Sequence, residues 1–138
     1  MKRLLSVAIG ALVLTQPLAS PAQDLMPGEH DFQAHCAICH GAGGRGDGMV
    51  GELFKTAPKD LTQLSRENGG AFPFQRVIQA IDGSTRVVAH GIGDPMPIWG
   101  DFLNSELHGE IGLAPADAKA IAQARIVALT YYIQTLQQ

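Results

Sequence analysis

Five consecutive residues, Cys36-Ala37-Ile38-Cys39-His40, combine side-chain types and spacing that could do chemistry. Residues three apart lie on one face of a helical turn, so both cysteines can form thioether bonds to the vinyl groups of one haem. His40 follows at once, where its imidazole can reach the haem iron as the proximal ligand. The chain has two cysteines, and this motif uses both. We therefore predict one covalent haem c on Cys36 and Cys39, with His40 as an iron ligand.

Two other kinds of site share part of this pattern. A thioredoxin-like Cys-x-x-Cys pair requires a βαβ context, and no strand pattern flanks the segment. A structural zinc site requires four Cys or His ligands at paired spacings, and the other histidines show no such spacing. They are His30, His35, His90 and His108. Haem attachment accounts for the whole motif, whereas each alternative accounts for part of it.

The glycine-rich stretch after the motif contains G-x-G-x-x-G at Gly41, Gly43 and Gly46. A dinucleotide site would require a strand before this pattern and a helix after it, and neither is indicated here. We expect the glycines to let the backbone turn tightly past the haem edge.

Met96 lies between Pro95 and Pro97, a setting that excludes a regular helix and predicts a stiff, extended loop. Haem iron needs a ligand opposite His40, and a thioether sulfur can supply it. Met49 would have to cross to the opposite haem face within nine residues of His40, and Met26 precedes the motif. We therefore predict Met96 as the second axial ligand.

The first 22 residues have the pattern of a secretory signal peptide. Lys2 and Arg3 precede an apolar run from Leu4 to Leu14, and small residues follow up to Ala22. The run is too short to span a membrane, which takes about 20 apolar residues. We predict cleavage after Ala22, or alternatively after Ala19, and hence a signal peptide at 1–22, no stable membrane anchor and a periplasmic location.

The predicted mature chain, residues 23–138, is long enough for one small domain. Removing residues 1–22 leaves 8 Lys and Arg against 13 Asp and Glu, a formal charge of −5. This balance argues against nucleic acid as a partner. The chain is rich in Gly and Pro between its apolar segments, so a buried haem would supply much of the core.

Helical patterns account for most of the mature chain and predict an all-α fold. They extend from Pro27 to His40, over 61–67 after an Asp60 N-cap, from Pro73 to a stop at Gly83, and from Pro115 to Leu136. Residues 101–114 show no clear period, and we expect an irregular loop there.

These features together resemble a class I monohaem cytochrome c of the exported bacterial kind. The sequence carries Cys36-x-x-Cys39-His40-Gly41, a Gly/Asp-rich loop, and Met96-Pro97-x-x-Gly100. The resemblance runs from Gly28 to Leu136. It implies a small cytochrome c fold in which the N- and C-terminal helices cross and loops wrap around one covalently bound haem.

The resemblance also implies particular contacts. Gly28 and Phe32 would cross Tyr132 of the C-terminal helix. The carbonyl of Pro58 would accept the His40 N–H, and Trp99 and Arg86 are candidates for contacting the haem propionates.

The implied function is that of a periplasmic one-electron carrier with His/Met axial ligation, serving redox partner proteins whose identity the sequence does not reveal. Two alternatives stay open. The domain could be a haem c subunit docked in a larger redox enzyme complex. It could also be a haem sensor or peroxidase-like protein in which Met96 is displaced.

Covalent attachment makes a direct prediction. After denaturing gel electrophoresis of protein from a maturation-competent host, haem peroxidase activity should stay with the polypeptide, because thioether bonds survive denaturation. Replacing Cys36 and Cys39 by Ser should abolish the stained band, as should omitting the maturation machinery. Haem that washes away from the wild-type chain would refute the attachment.

Overall fold

The computed structural model describes residues 26–54, 56–85, 96–109 and 111–138, with the backbone alone for Glu52. The predicted signal peptide therefore lies outside the described residues, as do His90, Arg86 and Pro95. The described part of the chain consists of helices and turns without a strand, which confirms the all-α prediction. None of its helices combines the length and apolar character needed to cross a membrane.

Five helices follow one another along the described chain. Helix α1 has three consecutive segments, Glu29–Asp31, Phe32–Cys36 and Ala37–His40. Helix α2 begins as a 3₁₀ turn over Leu61–Gln63 and continues over Leu64–Glu67. Helices α3, α4 and α5 span Phe74–Asp82, Trp99–Gly109 and Pro115–Thr135. A single 3₁₀ turn, Gly51–Leu53, lies between α1 and α2.

The first and last helices cross at Gly28, as the resemblance implies. Gly28 has φ +86°, and a Cβ placed on it would overlap the backbone carbonyl of Ala128 in α5. One turn later, the rings of Phe32 and Tyr132 lie 5.2 Å apart between centroids. Phe32 is completely buried. The missing side chain at Gly28 thus lets two helix backbones touch, and the aromatic pair fills the space beside them.

The middle segment of α1, Phe32–Cys36, is a π-helix. The Ala37 N–H donates to the carbonyl of Phe32, five residues back, rather than to the residue four back. Such π segments are short and frequently occur at functional sites. Here the segment begins at Phe32, which packs at the crossing, and ends at Cys36, the first residue of the haem motif.

The predicted ends of the short helices are confirmed. The Asp60 carboxylate accepts a hydrogen bond of 2.9 Å from the Thr62 N–H, which caps α2. Gly83, with φ +81°, ends α3 in a left-handed conformation that favours glycine.

The prediction of an irregular loop over residues 101–114 is wrong for most of its length, because Trp99–Gly109 forms helix α4. Its buried face consists of two residues four apart, Leu103 and Leu107. Gly100 also lets the start of α4 approach the Asp82 backbone closely. So narrow an apolar stripe gives little periodic signal, and the helix depends on packing against α3 and α5.

The core lies along the inner face of α5, where a stripe of apolar residues from Ala122 to Ile133 is buried. Buried side chains of α1, α3 and α4 pack onto this face. The buried apolar residues are Phe32, Cys36, Val77, Ile81, Leu103, Leu107, Ala118, Ala122, Ile126, Leu129, Tyr132 and Ile133.

Arg125 on α5 joins helices α1 and α4 through its guanidinium. It donates to both Asp31 carboxylate oxygens, at 3.0 and 2.6 Å, and to Glu106 at 2.7 Å. The hydrogen bonds from Arg125 hold the pKa of the Asp31 carboxyl below its ordinary value. Because Arg125 donates to both carboxylate oxygens of Asp31, the two side chains are held in a defined orientation in addition to their charge attraction.

Gly28→Ala should destabilise the protein far more than a comparable glycine replacement. Gly69 also has a positive φ, +70°, but no atom lies within 4 Å of a Cβ added there. Gly69→Ala should therefore cost about 1–2 kcal/mol for backbone strain alone. Gly28→Ala should add about 1–3 kcal/mol for overpacking the helix crossing. Denaturant unfolding of the holoprotein measures both, and equal losses would contradict the crossing geometry.

Arg125→Gln should lower the free energy of unfolding by about 1–3 kcal/mol at neutral pH, because hydrogen-bonded carboxylates lose their cation. The pKa of Asp31 is lowered from an ordinary value of 3.8 on folding. Its contribution is therefore present above that pH and is lost as the pH falls through the lowered folded value.

The stability difference between wild type and Arg125→Gln should accordingly shrink in acid. Arg66→Gln, which alters an exposed arginine of α2, serves as the control and should change stability little at any pH. A difference that persists unchanged into acid would argue against the Asp31 pair.

Candidate haem site

His40 is held in place at the end of α1. It is 6% exposed, and its Nδ1 lies 2.9 Å from the carbonyl oxygen of Lys59. Since a carbonyl can only accept, this contact puts the proton on Nδ1. The Nε2 atom then carries the lone pair that an iron ligand requires. The structure thus orients the imidazole for the ligand role predicted for it.

The acceptor is one residue further along the chain than the resemblance implies. Pro58 was the expected partner, and the structure places the Lys59 carbonyl there instead. The pattern that the resemblance implies is Gly-Pro-x-Leu, whereas this chain has Ala57-Pro58-Lys59-Asp60-Leu61, with one residue more before the Leu, which explains the shift. The Pro58 carbonyl instead lies close against Gly46, where a Cβ would overlap it.

The glycine-rich loop folds back onto the end of α1 and caps it. The N–H groups of Val50, Gly48 and Gly46 donate to the carbonyls of Ile38, Cys39 and His40, at 3.1, 3.1 and 2.8 Å. These carbonyls have no partner within the helix, because a helix leaves its last four unsatisfied. The loop therefore fixes the backbone of the Cys-x-x-Cys-His motif itself.

The two cysteines differ in their surroundings. Cys36 is 7% exposed, and burial, reinforced by the nearby Asp31 and Cys39, raises the pKa of its thiol to about 12. Cys39 is half-buried one helical turn later. Both sulfurs border the same space, as thioether bonds to one ligand require.

Two cavities meet at Cys36, His40 and Met96. The larger has a volume of about 330 Å³ and extends between α2 and α3. The smaller, of about 60 Å³, extends toward Trp99. The apolar lining of the larger cavity comprises Leu61, Leu64, Pro73, Val77, Ala80, Ile81 and Ile133.

These residues fit a haem c group. An apolar cavity suits the porphyrin ring, two thiols on one side suit its vinyl groups, and an oriented imidazole suits its iron. Among the described residues, no three His, Cys, Asp or Glu side chains come together as a bare metal site would require.

Met96 borders both cavities together with His40, so the structure brings the two predicted axial residues to one site. The rival methionines lie on the surface, with Met49 86% and Met26 50% exposed.

An aromatic cluster that the sequence did not reveal anchors the residues after Met96. The His35 ring on α1 lies 5.2 Å from Trp99 and 5.5 Å from Phe102, measured between ring centroids. Trp99 and Phe102 are themselves 5.3 Å apart. Trp99, a candidate for contacting the propionates, thus lines the smaller cavity while packing on α1.

Comparison with known proteins adds an independent observation. The family model for the cbb3-type cytochrome c oxidase, subunit III, matches residues 23–107, more than half of the chain. The chain belongs to this family. It is a c-type cytochrome, and its activity is electron transfer with covalently bound haem c. Searches of curated proteins and of solved structures found no match.

Within the cytochrome, the matched region includes the whole Cys-x-x-Cys-His motif, the glycine-rich loop and Met96. It ends within α4, so α5 lies beyond it. The crossing of α1 and α5 is therefore established by the structure rather than by the match.

Proposed function

We propose that this cytochrome is an exported, periplasmic one-electron carrier, with haem attached at Cys36 and Cys39 and with His40 and Met96 as axial ligands. One observation carries the proposal: these four residues border one largely apolar space in the folded chain. Haem c, when bound, supplies reversible one-electron exchange between ferrous and ferric iron.

Each of the four side chains has its own role in holding the haem. Cys36 and Cys39 would retain it covalently in the periplasm, because thioether bonds prevent its loss. His40 presents a fixed Nε2 because Lys59 holds its Nδ1 proton. Met96 supplies a sulfur, and thioether ligation together with an apolar wall favours the reduced state.

If His40 and Met96 both bind the iron, no coordination site would be left for substrate, which favours a carrier over an enzyme. The sensor or peroxidase-like alternative would require Met96 to leave and a polar group to take part on that side. His90, six residues before Met96, lies outside the described residues.

Export is supported by two sequence features. The family match begins at residue 23, directly after the proposed cleavage position. The signal-peptide pattern ends at Ala22. The periplasm is also a compartment in which a c-type haem can be attached.

Exposed apolar side chains near the motif are suited to brief contact with redox partners. Ile38 is 50% exposed, Met49 86% and Leu53 81%. The Val50 N–H bonds to the Ile38 carbonyl, which brings these segments together beside Cys39. Weak electron-transfer encounters bury small areas, and a patch of this kind is sufficient for one.

A second candidate function is that of a haem c subunit docked in a larger oxidase. The family description favours it, since it names a subunit of a cbb3-type cytochrome c oxidase. The electron-transfer chemistry is the same in both cases. The difference is whether the docking is transient or permanent.

Met96→Ala tests the axial ligand. Oxidised wild type should show the weak near-infrared sulfur-to-iron band of His/Met haem. The variant should lose the band, have a lower reduction potential and bind CO, because no sulfur then holds the sixth position.

Met49→Ala is the matched control and should leave all three properties nearly unchanged. Loss of the band in Met49→Ala alone would overturn the assignment of Met96. A wild type that lacks the band and binds CO readily would replace the carrier by the sensor or peroxidase-like function.

Subcellular fractionation separates the two modes of docking. For a transient carrier, the tagged cytochrome should appear in the periplasmic fraction at the mass of one processed chain. Stable co-purification with a membrane oxidase after detergent extraction would establish the subunit role instead. An unprocessed chain in the membrane fraction would contradict cleavage after residue 22.

A further inference from the structure

The larger cavity has an apolar interior and two cationic side chains in its lining, Lys59 and Arg76. A ligand that fills it must therefore be apolar over most of its surface. At one place it must also have a group that tolerates or requires a positively charged side chain of the protein beside it.

The two cations differ in how their charge is balanced. The Lys59 Nζ donates to the Glu67 carboxylate at 2.6 Å, so it already has an anion. Arg76 donates from Nη2 to the neutral Asn68 amide oxygen at 2.8 Å. No carboxylate within the described ranges pairs with Arg76.

The neutral Asn68 amide positions the Arg76 guanidinium without neutralising its charge. Its Nδ2 group donates to the Ala71 carbonyl at 2.7 Å, which orients the amide. Its Oδ1 then accepts from one Arg76 nitrogen. A guanidinium has five N–H donors, so this contact leaves most of its fork available for a planar anion.

The position of Arg76 on α3 places it on the cavity side. Pro73 and Ala80 also line the cavity, and they lie three residues before and four residues after Arg76, which puts them on the same helix face as Arg76. Arg76 lies on the first turn of the helix and is exposed. It is therefore at the rim, where an apolar ligand would present its polar end.

We propose that the guanidinium of Arg76 binds a carboxylate of the haem propionates and that Asn68 is the positioning residue for it. The inference rests on haem attachment at Cys36 and Cys39 in the proposed function. Arginine and carboxylate have matching planar geometry, and their charge-assisted hydrogen bonds are among the strongest in proteins.

The expected signature is a propionate that stays ionised to lower pH than it would without Arg76. An adjacent cation lowers a carboxyl pKa by about 1–3 units, with the lower end applying at an exposed rim. The reduction potential of iron responds to charge nearby, so protonation of the propionate appears as a pH dependence of the potential.

The experiment measures the reduction potential against pH for holoprotein with covalent haem. Arg76→Gln should move the redox-linked ionisation upward by about one unit or more. Arg66→Gln is the matched control, since it removes the same charge from an exposed site that does not line the cavity. Arg76→Lys keeps the charge and should shift the ionisation less than Arg76→Gln. Asn68→Ala should shift it in the same direction by a smaller amount.

Redox-difference infrared spectra provide a second readout. A protonated carboxyl band should appear in Arg76→Gln at a pH where wild type shows only ionised carboxylate. If Arg76→Gln and Arg66→Gln give the same pH profile and the same spectra, the proposal is wrong. Wild-type protein without covalent haem would instead refute the attachment at Cys36 and Cys39, so the two failures are distinguishable.

Discussion

Direct contact between two helix backbones at Gly28 is the constraint on which the rest of the structure depends. Because Gly28 lacks a Cβ, α1 lies against the Ala128 carbonyl of α5, and the Phe32–Tyr132 pair then completes the crossing. Helix α1 continues without interruption to His40, so the crossing also sets the place of the haem motif. Arg125 ties the same end of α1 to α4 and α5 by charge.

The other end of α1 is stabilised by loops rather than by another helix. Backbone N–H groups of the glycine-rich loop satisfy the last carbonyls of the motif, and the Lys59 carbonyl holds the His40 ring. Each of these partners is a backbone atom, and the loop can approach the motif this closely because Gly46 and Gly48 have no Cβ, which would overlap the backbone of Pro58 and of Cys39. A binding site placed on a rigid element with satisfied neighbours keeps its shape when the charge of its ligand changes, as electron transfer requires.

The parts of the molecule that could be predicted are those encoded by local chemistry. The Cys-x-x-Cys-His motif, the Asp60 cap, the Gly83 stop and the helical pattern that begins at Pro115 each depend on neighbouring residues. Helix α4 was not predicted because its two buried leucines give too weak a pattern in the sequence, and the helix is stabilised by their packing against α3 and α5. The aromatic contact of His35 with Trp99 joins residues far apart in the sequence, which no spacing rule can reveal. The carbonyl that accepts from His40 is that of Lys59 rather than that of Pro58, because the loop has one extra residue. Which carbonyl that residue brings to the ring can be seen only in the folded structure.

The π segment lets α1 serve two surfaces at once, the crossing with α5 and the wall of the haem cavity. In a regular α-helix, the face that meets α5 would dictate the direction of every later side chain. The five-residue hydrogen bond from Ala37 to Phe32 breaks that dependence, so Phe32 serves the crossing while Cys36 and His40 serve the cavity. The π segment thereby sets a fixed offset between the direction of the side chains at the crossing and the direction of those in the haem motif. Related chains could change this offset without rebuilding the crossing, by gaining or losing a single residue in that turn.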